Sequence, residues 1–240
     1  MDQPSSQTPD ITLGRTFSAS IAVLTVSLAV LLVATAGGQS FTTETLRRQQ
    51  VMAQPQQIDT FDVLGTSGRP TSLDTLLAAG DKVWLVDFVY TRCQTVCSSL
   101  GSIYQQLQLQ IEERGLQNKV GLLSISFDPA NDDAAALSAY AQRMRMNPAI
   151  WQITTLAKWQ DRRRLLDTFG IMVVPAPLGE FEHNAALHVV SSDGRLVKII
   201  DYLSYTSAVD DAMAFAQREA MSRPQSLHAY SETFSMRLFR

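Results

Sequence analysis

Residues Lys82–Cys97 read KVWLVDFVYTRCQTVC. The first nine, Lys82–Tyr90, form an almost unbroken run of β-branched and aromatic side chains, the composition of a strand buried on both faces. One acid, Asp87, interrupts it. In such a strand a carboxylate is costly unless it is protonated or paired, and it could take a proton from a nearby thiol; the alternative is a hydrogen-bonded strand residue. The run ends in Cys93 and Cys97, the two cysteines of a 240-residue chain. They stand where the strand gives way to a helical pattern over Ser98–Glu113, with Leu100, Tyr104, Leu107 and Ile111 at helical spacing. On a helix, positions four apart share a face, with Cβ atoms about 5–6 Å apart. That is near enough for two sulfurs to bind one metal or to close a disulfide. A helix N-terminus and the charge of Arg92 both favour the thiolate, the form that binds soft metals and exchanges disulfides. A disulfide closing so short a loop would stabilise little. The C-terminal edge of a buried strand is also where α/β sheets bind ligands.

Outward from this stretch, strands and helices alternate. Ile58–Leu64 reads as a short strand. Ser72 caps a helix running to Ala79 and closed by Gly80. Val120–Phe127 is a second buried strand, and Asp132–Met144 is an Ala-rich helix with acids in its first turn and arginines in its last. Ile150–Thr154 reads as a strand and Lys158–Phe169 as a helix. Ala185–Ser191 and Leu196–Tyr202 flank Asp193-Gly194, a hairpin signal, and Ala208–Glu219 is a final helix. This order predicts an α/β sandwich of the thioredoxin-like arrangement over residues 58–222.

Composition narrows the possibilities. A net charge of −3 gives no electrostatic case for nucleic-acid binding. Two cysteines are too few for a disulfide scaffold, a four-cysteine zinc site or an iron–sulfur cluster. Charged residues make up 18% of the chain, and the deficit is partly local: no charge occurs from Thr16 to Gly38. Such a run spans about 30 Å as a helix, the thickness of a bilayer core. The sequence therefore predicts a short N-terminal tail (1–15), a single transmembrane anchor (16–38), an extended Gln-rich stalk (39–57), the folded domain (58–222) and a C-terminal tail (223–240). The alternative for the apolar run is a cleaved signal peptide, since Ala34-Thr35-Ala36 resembles a cleavage site; its few cations argue against that. Arg47 and Arg48 after the span oppose the positive-inside rule, yet the short tail is the easier piece to leave inside.

Two thiolates leave a soft d10 cation undersaturated, and imidazole is the natural third ligand. The chain has His183, His188 and His228. His228 falls in the tail. His183 lies in a polar segment (LGEFEHN) leading to the hairpin, and His188 lies inside the hairpin strand. Five residues apart in one strand, the two would face opposite sides of the sheet. Loop position favours His183 for access, while His188 is expected to pack or make one hydrogen bond.

Phe88–Cys97 (FVYTRCQTVC), a long helix, then Ser124–Pro129 (SISFDP), and a histidine ten residues before Asp193-Gly194 together resemble the Sco family. The resemblance covers about residues 58–220, and a membrane anchor ahead of the domain is typical of the family. Ser98 departs from the proline that often follows the second cysteine. The resemblance implies a thioredoxin-like copper chaperone that helps assemble the CuA centre of cytochrome c oxidase. Its metal ligands would fall on Cys93, Cys97 and His183, holding Cu(I) and also Cu(II). The CuA-bearing subunit and other copper carriers would be its partners. The chain would be single-pass in the cytoplasmic membrane, with the domain on the periplasmic side. A thiol–disulfide oxidoreductase, with Cys93 attacking and Cys97 resolving, is the alternative, and the cysteines of the copper acceptor would be its substrate.

Overall fold

A computed structural model describes residues 13–34, 43–93 and 96–222. Residues 1–12 of the predicted N-terminal tail, the end of the predicted anchor (35–38), the start of the stalk (39–42) and the C-terminal tail with His228 lie outside them, and the last three residues of the predicted N-terminal tail belong to a helix. The chain divides into two units, residues 1–50 and 51–240.

In the first unit, helix α1 (Leu13–Ala34) has the predicted apolar character. Its Thr16–Val33 window is long and apolar enough to cross a membrane, and none of it is buried. Helix α2 (Thr43–Ala53) replaces the expected extended stalk. The helix runs past the end of the first unit, and Val51 in its last turn, the first residue of the second unit, is wholly buried in that unit's core.

The second unit is built on an eight-stranded sheet. Its strands are β1 (Gln56–Gln57), β2 (Asp62–Gly65), β3 (Pro70–Ser72), β4 (Val83–Val89), β5 (Val120–Ser126), β6 (Trp151–Leu156), β9 (Ala186–Val190) and β10 (Arg195–Asp201). They lie in the order β1-β10-β9-β4-β5-β6-β2-β3. Strands β4, β5 and β6 are parallel neighbours, while β9 runs antiparallel to β4 on the other side. All seven residues of β4 and all seven of β5 are buried, as continuous apolar runs require.

Alternation along β4 divides the core. Leu85 faces a layer containing α4 (Val96–Glu113) and α7 (Ala208–Ser222), through Tyr104, Leu107, Ile111, Val209 and Ala212. Val89, on the same side, meets α5 (Ala134–Arg143) through Leu137 and Tyr140. Trp84, Val86, Phe88 and Tyr90 face the opposite layer, which holds α3 (Leu73–Ala78) and α6 (Arg162–Phe169). Ser72 caps α3 as its position predicts, its hydroxyl accepting from the Thr75 amide. The sequence reading missed a separate two-stranded hairpin, β7 (Val173–Pro175) with β8 (Phe181–His183), inserted before β9.

Candidate metal-binding site

The carboxyl end of β4 passes directly into the cysteine segment. A turn brings the Cys93 amide to the Tyr90 carbonyl at 3.2 Å. The two residues between are held from below. The Asp132 carboxylate, wholly buried, accepts from the Thr91 amide at 2.9 Å, the Thr91 hydroxyl at 2.6 Å and the Ser126 hydroxyl at 2.5 Å. Arg92 extends outward to Asp128 at 3.0 Å. Its charge is thus paired with a carboxylate rather than spent on the thiols alone. Arg143 of α5 donates to the Thr91 carbonyl at 2.9 Å.

Cys93 is half-buried and packs against the core layer of Phe88 and Tyr90. It precedes α4 rather than lying in it, so the shared-helix-face argument for the pair does not apply. Cys97 is the second residue of α4, within the first turn, where the helix dipole favours a thiolate. Its side chain lies outside the described residues.

His183 comes from the second strand of the hairpin, paired with Val173. Its ring stands edge-on to Phe127, with centroids 5.2 Å apart. Nδ1 lies 3.1 Å from the Asn184 carbonyl, whereas Nε2 is buried and has no hydrogen-bond partner among the described residues. Burial lowers the imidazole pKa below its ordinary value, against the opposing pull of the Asn184 carbonyl and of the negative charge on Cys93. The ring is therefore neutral at pH 7. Its Nδ1–H donates to the carbonyl, and the Nε2 lone pair is left over. Metal-binding histidines are oriented in this way, and an orphaned buried nitrogen within the field of a cysteine is what a soft-metal site requires.

His188 is excluded from that role by its surroundings. It is 1% exposed and lies edge-on between Phe88 and Phe169. Its nitrogens stand 3.3 Å and 3.1 Å from the carbonyls of Val86 and Phe169. The expected packing role holds, but the parity reason does not, because His183 and His188 occupy different strands.

A family model, SCO1/SenC, matches residues 49–216. The chain belongs to the SCO1/SenC family. Among Sco relatives, the SCO1 protein homolog of Bacillus subtilis is 26% identical over 145 residues, 59% of this chain and 72% of that one. The structure of BsSco, described as a member of the Sco family of cytochrome c oxidase assembly proteins with a disulfide switch, superposes with a TM-score of 0.58. It is 23% identical and covers 68% of this chain and 95% of its own. Yeast Sco1 with copper bound gives a TM-score of 0.55 at 15% identity, over 72% of this chain and 98% of its own. The thioredoxin-like Sco fold is thus shared across relatives whose sequences have diverged widely.

Sequence reasoning did not find Tyr90, Glu180, Asn184 or Asp132. Only Asp132 left a trace, as an acid at the start of a helix; Tyr90 and Glu180 meet across 90 positions, and Asn184 reaches back 12 and 14 residues.

Proposed function

We propose that this protein is a membrane-anchored copper chaperone. Its cargo would be held by the thiolates of Cys93 and Cys97 and by Nε2 of His183, and delivered to the CuA-bearing subunit of a cytochrome c oxidase. The observation that carries this reading is the His183 imidazole. It is buried and neutral, tethered through Nδ1, with Nε2 unpartnered and within the electrostatic reach of Cys93. Two thiolates and an imidazole suit Cu(I), with Cu(II) as a second state, and three ligands leave one side open for exchange with an acceptor. Zinc wants a fourth protein ligand. The copper in yeast Sco1 and the assembly role of BsSco support the same reading. In it, residues 58–222 are the copper-binding domain and 16–38 the anchor, with the domain on the periplasmic side of the cytoplasmic membrane. A reporter fused at Arg240 tests the orientation.

The direct test is Cu(I) titration of the reduced full chain in detergent, in competition with a chelator. One copper per chain is expected. Cys93→Ser and Cys97→Ser should abolish binding, and His183→Ala should weaken it by about 100-fold, at least the upper end of what losing an outer-sphere partner costs. Failure of the fully reduced protein to bind copper sinks the chaperone reading. Loss of binding in His188→Ala but not in His183→Ala sinks the ligand assignment.

Asp87 favours a second, compatible reading. Its carboxyl is pushed up to about 7, and it sits in β4 on the face covered by α4, the helix that carries Cys97. As a thiol–disulfide oxidoreductase, the Cys93 thiolate would attack an acceptor disulfide and release one acceptor thiolate. Cys97 would then displace the other, leaving the acceptor reduced and the Cys93–Cys97 pair oxidised. His183→Ala should spare this exchange.

A further inference from the structure

The hairpin that carries His183 is not part of the main sheet. Its two strands pair with each other over three positions, Val173 with His183, Val174 with Glu182 and Pro175 with Phe181. A two-stranded ribbon so short has little stability of its own, so side chains must fix it. At its foot, Asn184 donates to the Gly170 carbonyl at 3.0 Å and accepts from the Met172 amide at 2.7 Å. Toward its tip, among the described residues, one side-chain oxygen bonds both Glu180 and the Phe181 backbone. The Tyr90 hydroxyl donates to Glu180 Oε2 at 2.5 Å and accepts from the Phe181 amide at 3.1 Å. The Phe181 ring stands edge-on to Tyr90 at 5.3 Å and to Phe127 at 5.7 Å.

We infer that the Tyr90 hydroxyl latches this hairpin, and with it His183, onto the cysteine-bearing end of β4. Tyr90 lies three residues before Cys93, and Phe181 two before His183. One phenol oxygen thus spans the two halves of the site. The aromatic core does not need it: Phe127 and Phe181 pack on the ring, and a phenylalanine would keep those contacts. The oxygen is buried on the ring's far end to bond the hairpin backbone and Glu180, and an amide partner fixed by a strand already next to Cys93 sets the distance His183 must cover. Tyr90 is in this sense a positioning residue, and its effect on copper rests on the metal-site reading above.

Two measurements on the full chain in detergent test the latch. Amide hydrogen exchange of the copper-free protein should show Phe181 and the rest of the hairpin exchanging about tenfold faster in Tyr90→Phe, the scale of one lost hydrogen bond, with β4 and β5 unchanged. Unchanged hairpin exchange overturns the latch. The Tyr90 hydroxyl also interacts with the Cys93 thiol, so the double variant separates the two routes: in Cu(I) competition Tyr90→Phe should weaken binding about tenfold, and most of that loss should vanish on top of His183→Ala if the hydroxyl works through the hairpin. If the two losses add, Tyr90 acts independently of His183 and the positioning role is overturned. If the wild-type protein binds no copper, the chaperone reading fails while the exchange measurement still decides the latch.

Discussion

Asp87 shows most sharply what a single residue can cost. It is 1% exposed, on the same side of β4 as Leu85, and neither carboxylate oxygen makes a well-formed hydrogen bond among the described residues. Burial lifts its pKa to about 7, and the Ser124 hydroxyl on the facing position of β5 offsets only part of this. The same pocket holds Tyr104 of α4, whose phenol is raised by burial first and by the Asp87 charge second. Between the unfolded pKa near 4 and the folded value, the folded state holds a proton that the unfolded state has lost. Stability must therefore fall as pH rises through that window, by up to roughly 4 kcal/mol for about three units. Urea unfolding of the copper-free protein should show a clear loss between about pH 4 and 7, and Asp87→Asn should remove most of that slope. An equal slope in both proteins would mean that the carboxyl is not the group that titrates. The sequence showed this cost, because an acid inside VWLVDFV has nowhere else to face. It also showed Cys93 and Cys97, whose chemistry is written in their residue type. It could not show Tyr90, whose partners Glu180 and Phe181 lie 90 and 91 positions away.

At the scale of elements, one buried carboxylate joins three of them. Asp132 sits ahead of α5 and accepts from Thr91 just past β4 and from Ser126 at the end of β5. Replacing it with alanine strands three buried donors, each worth about 1–3 kcal/mol when left unsatisfied. Asp132→Ala should therefore cost at least about 3 kcal/mol in urea unfolding. The neighbouring Asp133, whose exposed carboxylate caps α5 by accepting from the Ala136 amide at 2.8 Å, should cost about 1 kcal/mol as Asp133→Ala. Equal costs would show that the network is not the main tie. Close packing gives a second test. A Cβ on Gly121 would lie 2.6 Å from the buried Trp84 ring, whose Nε1 is fixed to the Leu77 carbonyl at 2.8 Å, so the ring cannot simply swing away. Gly121→Ala should cost about 1–3 kcal/mol by overpacking. Strands β4, β5, β6, β9 and β10 and helices α4 to α7 were legible because each carries an apolar pattern, whereas the short, polar β1 and β3 were not. The β7–β8 hairpin was not, because three-residue strands interrupted by Pro175 and Pro177 leave no period to read. Helix α2 was hidden for a related reason: it is polar along most of its length, and Val51 is its one buried residue among those described.

At the scale of the whole molecule, the chain combines a self-contained domain with an apolar helix that has no burial of its own. Every residue of the core clusters lies between Val51 and Met213, whereas Phe17 is 69% exposed and Val33 is 84% exposed on α1. A run of 18 residues at a mean hydropathy of 2.3 is unstable in water and matches the roughly 30 Å of a bilayer core. The full chain should consequently stay with membranes through an alkaline carbonate wash, and a chain lacking residues 1–38 should move to the soluble fraction. Because the removed helix supplies nothing to the core clusters, the shortened chain should unfold at the same urea midpoint as the full one. A lower midpoint would mean that α1 supports the domain and is more than an anchor. The membrane-bound form also decides between the two readings of the apolar run. An N-terminus at Met1 or Asp2 identifies an anchor, whereas one that begins just after Ala36 identifies a cleaved signal, and the domain would then have to be held at the membrane by other means.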